Sequence, residues 1–166
     1  MNKDFIDKIY LSIETSGLTP IDFKIIEIAA LKIDEHNNKS LFHKLINPQQ
    51  DLSDEAIKLT LMNNEDLKKQ KSIVEIKNDF LNFIGSTNIV VHNKEFIMGF
   101  LNKEFEDEIK NEIVDINEIF KNRFPNESSS FSSILEKFNL KIETSFSDTL
   151  NEVLLLPNVY QILLDK

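Results

Sequence analysis

No cysteine occurs among the 166 residues. That absence excludes disulfides, zinc–thiolate sites and a cysteine nucleophile. Three histidines, His36, His43 and His92, are too few for a polyhistidine metal centre. Positive charge is also scarce. Nineteen Lys and Arg face 28 Asp and Glu, the net charge is −9, and Arg123 is the sole arginine. A chain this acidic does not suit general nucleic-acid binding, because the dominant attraction runs from phosphate to Lys and Arg. Only a local basic or metal-bridged site would offset it. Long hydrophobic runs are missing. The longest, such as residues 153–156, fall far below a membrane span. The start at Met1 to Phe5 has no apolar signal core, so no membrane association and a cytoplasmic location are expected. What is present is an ordinary folding composition, 41% hydrophobic and 28% charged. The length predicts a single domain over 1–166 with one sizeable core.

Ile9, Leu11 and Ile13 alternate with Tyr10, Ser12 and Glu14, a period of two that predicts a strand over 8–15. Ser16, Gly17, Thr19 and Pro20 end it. Isoleucine-dense 24–34 and 39–46 read as two more strands. Asn37 and Asn38 suit a tight turn between them. Helical spacing follows. Ser53 is a plausible N-cap for 54–60. Ser72 and Glu75 match a capping box, with Ile76, Phe80 and Phe83 behind it and Gly85 as the stop. Residues 88–92 form a short, nearly all-apolar strand. A helix over 94–108 carries the stripe Ile97, Leu101 and Phe105. A strand over 112–115, a helix over 116–123 and a helix over 131–138 come next. Residues 147–164 would be one helix, which Pro157 should kink or split. Three meander strands followed by strand–helix alternation make a mixed α/β sheet with helices on both faces.

Two stretches carry candidate chemistry. Ser12 and Glu14 share one strand face at a strand end. There two carboxylates could share a metal, but only Glu14 is a carboxylate; a plain polar strand end is the other reading. His92 and Asn93 close a buried strand and feed a helix N-terminus, where backbone N–H groups can hold an anion. His92 also reads as a cap or core histidine, and Ile97 as helix core.

These stretches together resemble the DnaQ-like 3′–5′ exonucleases, the type of the DNA polymerase III epsilon subunit and of the PolC exonuclease domain. The resemblance continues through Ile25-Ile26-Glu27-Ile28-Ala29-Ala30, Leu45-Ile46-Asn47-Pro48, Ile57-Lys58-Leu59-Thr60, Phe83-Ile84-Gly85, Leu101-Asn102-Lys103-Glu104-Phe105 and Val114-Asp115. It implies a ribonuclease-H-like fold, with three antiparallel strands and then two parallel ones. It also implies an activity in which four acidic residues bind two Mg²⁺ or Mn²⁺ ions and a histidine activates water. The family pattern is Asp-x-Glu on the first strand, Asp after His-Asn-x-x-Phe, and His-x-x-x-x-Asp near the C-terminus. Here Glu14 is retained, but the first Asp is Ser12 and the helix Asp is Ile97. On the segment Ser147-Asp148-Thr149-Leu150-Asn151-Glu152 the histidine is Ser147 and the last Asp is Glu152. Asp148 is a reserve candidate. Thr149 to Glu152 also matches a capping box.

The hydrocarbon side chain of Ile97 does not ligate magnesium, and Ser147 cannot serve as a base near neutral pH as histidine can. The reading is therefore a catalytically degenerate homologue with no expected cofactor. It would be a non-catalytic partner in replication or repair, or a weak binder of single-stranded ends. Two alternatives stay open: an active exonuclease with altered metal ligation, and an acidic decoy for a nucleic-acid-handling protein. Thr15, Gly17, Leu18, His92 and Asn93 either keep the shape of the family's nucleotide pocket or simply cap and turn the chain. The resemblance places Ile97 at the cleft, so restoring the aspartate there should cost little stability.

Overall fold

The alternation at the start of the chain becomes strand β1, Lys8–Thr15. A computed structural model describes residues 4–165. Side chains on β1 divide between two faces. Ile9, Leu11 and Ile13 enter one hydrophobic core, and Tyr10 enters the other. Strand β2, Ile25–Ile33, pairs antiparallel with β1 and sets Glu27 opposite Glu14. Strand β3, Lys39–Leu45, pairs antiparallel with β2. The turn between them is wider than a two-residue hairpin. The Asp34 carboxylate accepts from the N–H groups of His36 and Asn38, and Asn37 takes the positive φ of 65°.

Helix α1, Asp54–Thr60, starts at the Ser53 cap. Helix α2, Asn64–Lys68, is too short for its periodicity to show in the sequence. Helix α3, Ile73–Ile84, opens on the expected capping box, in which the Ser72 N–H donates to Glu75 Oε2 at 2.7 Å. Strand β4, Ile89–Val91, is buried along its length and runs parallel to β1. Helix α4, Lys94–Glu104, stops short of the expected end, because Glu106 and Asp107 both take positive φ. Strand β5, Ile113–Asp115, lies parallel to β4. Helices α5 (Ile116–Arg123), α6 (Phe131–Lys137) and α7 (Asp148–Leu164) complete the chain.

The sheet order is β3-β2-β1-β4-β5, the expected ribonuclease-H-like arrangement. On one face, α3 and α4 bring Phe80, Phe100 and Phe105 onto Ile9, Leu11 and Ile13. On the other, α5 to α7 cover Tyr10, Leu31 and Val90. Pro157 does not split α7, which runs unbroken from Asp148 to Leu164. Proline forfeits its own N–H bond and crowds the carbonyl one turn back, a local cost that tertiary packing can offset. Val153 and Leu156 on one side of it, and Val159 and Leu163 on the other, are all buried in the same core and hold the helix to the sheet. Among the described residues no helix is long and apolar enough to cross a membrane.

Candidate functional site

The end of β1 that carries Ser12 and Glu14 lies on the α7 face of the sheet. Tyr10, two residues before Ser12, meets Tyr160 of α7 edge-on. From the first turns of α7, Glu152 comes back to this strand end and accepts a hydrogen bond from Ser12. Burial pushes the Glu152 carboxyl up to about 7; Ser12 pulls the other way, and Glu14 and Asp148 push with it. Glu14 is raised as well, first by burial and then by the charges of Glu27 and Asp148, while the N–H of Thr15 opposes the shift. Glu14, Asp148 and Glu152 thus share one crowded acidic neighbourhood.

Ser147 is the N-cap of α7, and its hydroxyl accepts from the Leu150 N–H. That cap settles the alternative reading of Thr149 to Glu152: Thr149 is buried inside the helix and caps nothing. The same Ser147 hydroxyl donates to Glu27 Oε1 at 2.6 Å. His43 Nε2 lies 2.7 Å from that oxygen. Glu27 is 1% exposed, and its Oε2 has no hydrogen-bond partner. Sequence reasoning passed over Glu27. The available signal was a lone carboxylate inside the run Ile25-Ile26-Glu27-Ile28, since a charge in a buried strand needs partners.

Ile97 corrects an expectation. It is 2% exposed and belongs to the core built on Ile9, Leu11 and Ile13. Period-two alternation puts that core on the face away from Ser12 and Glu14. The helical stripe of Ile97, Leu101 and Phe105 decides its place, and Ile97 does not line the cleft.

The helix start at Asn93 is not an open anion site either. The Asp115 carboxylate accepts from the N–H of Asn93 at 3.0 Å and of Lys94 at 3.1 Å. Asn93 Oδ1 takes the Phe96 N–H. The chain's own side chains satisfy the donors that an anion would use. His92 Nε2 sits 2.7 Å from the Ser129 carbonyl, and burial lowers its pKa. Thr15 donates to the Gly17 carbonyl at 2.7 Å. Gly17 has to be glycine for a packing reason: a Cβ there would meet the Phe23 ring at 2.3 Å. Leu18 is 83% exposed.

Glu14 borders two cavities. One, of about 370 Å³, is walled by Thr15, Gly17, Leu18 and Phe96. The other, of about 480 Å³, is walled by Glu27, His43, Ser147 and Asp148. Neither is lined by a lysine or an arginine. Among the described residues no three Asp, Glu or His side chains converge as ligands of one ion. The residues present do not form a two-ion ligand set.

Comparison with known proteins agrees with the architecture. The RNase_T exonuclease family model matches residues 10–156. The DNA polymerase III subunit epsilon of Rickettsia prowazekii is 33% identical over 169 residues, covering 92% of this chain and 72% of that protein. The PolC-type DNA polymerase III of Halalkalibacterium halodurans is 31% identical over 139 residues, covering 81% of this chain. The chain spans about a tenth of such PolC-type polymerases. The nuclease domain of 3′hExo, a DEDDh family member bound to rAMP, superposes with a TM-score of 0.80 at 13% identity, covering 98% of this chain and 94% of that domain. E. coli exonuclease I in complex with a dT13 oligonucleotide gives 0.80 at 12% identity, covering 94% of this chain and 40% of that one. These matches correct the expectation of no cofactor, because DEDDh exonucleases need divalent metal ions.

Proposed function

Because the chain belongs to the exonuclease family of the RNase_T type, we propose that it is a catalytically degenerate member, one exonuclease-fold domain over 1–166 that serves as a non-catalytic partner in DNA replication or repair. The observation that carries this reading is the burial of Ile97 at 2% exposure. Hydrocarbon fills the helix position that the family gives to a shared metal ligand, and that position faces the core. Two-ion hydrolysis tethers each ion by carboxylates, and Ile97 has no oxygen to contribute. Ser147 stands where the family has its histidine, and its hydroxyl is already spent on Glu27 Oε1 and on capping α7. The partner role draws support from the kinship with DNA polymerase III subunits. Of the two binding roles, the protein partner suits the acidic, lysine-free cleft better than the single-stranded end.

Excess protein incubated with end-labelled single-stranded DNA and RNA, in Mg²⁺ and in Mn²⁺, should leave the label intact. Shortening that persists through purification and disappears in Glu14→Gln would overturn the reading. That outcome would favour an active enzyme with altered ligation, built on the cluster of Glu14, Asp148 and Glu152.

A further inference from the structure

We infer that the cavity beside Glu27 receives a lysine or arginine side chain from an apolar segment of a partner protein. This inference rests on the non-catalytic reading above and names the chemistry of the partner.

Glu27 carries the argument. Its Oε1 already accepts from Ser147 and approaches His43 Nε2 at 2.7 Å, while its Oε2 is buried with no donor in reach. Buried polar atoms are nearly always paired, and an orphan raises the free energy of the protein that holds it. That oxygen is closed to water, so a cation in the cavity acts on Glu27 through its charge at short range, together with Glu14 and Asp148 on the same wall. The wall is about 480 Å³ of space bounded by Glu14, Glu27 and Asp148 as well as by His43, with no lysine or arginine. Phosphate is repelled by such a wall, and an ammonium or guanidinium is attracted. A guanidinium presents its N–H donors as a planar fork that matches carboxylates.

The rim says what flanks the charge. Leu59 is 75% exposed, Leu61 88% and Phe146 43%, and all three border the cavity. Leu61 holds its side chain outward from a left-handed backbone position, φ 58°, which terminates α1. Glycine or asparagine is the ordinary residue in that conformation. A large apolar side chain kept there fits a contact surface better than a helix stop. A basic anchor in a desolvated pocket, ringed by apolar contacts, is the pattern of an interaction hot spot.

The test is a random twelve-residue phage-displayed peptide library panned against the full chain, followed by titration of the selected peptides. Selected peptides should share one Lys or Arg set among Leu, Ile or Phe. Replacing that basic residue by Gln should weaken binding at least tenfold. Glu27→Gln should weaken it by a similar factor. Should Glu27→Gln fail to fold, Asp148→Asn and Leu61→Asn at exposed positions carry the test, each expected to weaken binding at least threefold. The inference is overturned if panning yields no binders, if binders lack a basic residue, if none of these variants weakens binding, or if a dT oligonucleotide displaces the peptides without added metal. The nuclease assay runs on the same preparation. Failed panning with the label intact sinks this inference alone, whereas a shortened label sinks the reading beneath it.

Discussion

Helices α4 and α7 both start beside the ends of the central strands, and the reading proposed above matches a residue on each to a charged position of the family. The two positions sit in different surroundings. On α4, Ile97 belongs to the aromatic and aliphatic core over β1. On α7, Ser147 and Glu152 are polar and bond to Glu27 and Ser12. The difference follows from what surrounds each position. Ile97 falls on the stripe that already buried Leu101 and Phe105, so an apolar residue there gains transfer free energy immediately. The start of α7 faces Glu14 and Glu27 across the sheet, and hydrocarbon there would strand two carboxylates.

The largest effect that would break this comparison is on α4. Ile97→Asp should cost about 3–5 kcal/mol, from lost packing and an unpaired buried carboxylate. Urea denaturation reads it. A loss near zero would mean that the side chain swings into the cleft and that the two helices are alike after all.

Stability against pH sharpens the α7 side. The folded state holds the Glu152 proton up to about 7, against an ordinary value of 4.5. Below about 4.5 both folded and unfolded chains are protonated there. Between the two values the unfolded chain has released its proton while the folded one keeps it. Stability therefore falls as pH rises through this window, by about 3 kcal/mol at most. Glu14 shifts in the same direction and adds to the slope. Glu152→Gln should flatten most of it in melts taken from pH 4 to 8.

A smaller loss, about 2 kcal/mol, is expected for Ser147→Ala, which removes the α7 cap and one of the donors to buried Glu27. Ser147→Thr should recover most of it, because the hydroxyl survives. Thermal melts of the pair distinguish a polar role from a packing one.

Much of the fold was legible because local signals coincided with tertiary demand. The period-two run at residues 8–15 and the capping box at Ser72 and Glu75 appear in the structure as read. One local expectation failed for a physical reason, and one element went unread. Pro157 was weighed as a breaker without the buried residues that flank it on both sides. Helix α2 has five residues and leaves no stripe to read. At the site, spacing alone left Ser12 and Glu14 as a polar strand end, and only the family resemblance singled out Glu14, Ser147 and Glu152. Ile97 was misplaced because family position was weighed above its own stripe, and the stripe was right. Glu27 was overlooked because it sits in a run that otherwise spells a buried strand. Its partners, Ser147 and His43, lie 120 and 16 residues away, and no local pattern joins them.

Asp115 ties distant parts of the chain into one unit of motion. A single carboxylate receives the first N–H groups of α4 and also caps α5 through the Asn117 N–H at 2.9 Å. Neither helix start can fray without stripping a shared acceptor from the other. In native-state hydrogen exchange, the amides of Asn93, Lys94 and Asn117 should therefore open together, with one common free energy in place of two. Asp115→Asn should split that event, and the α4 and α5 starts should then exchange on separate clocks.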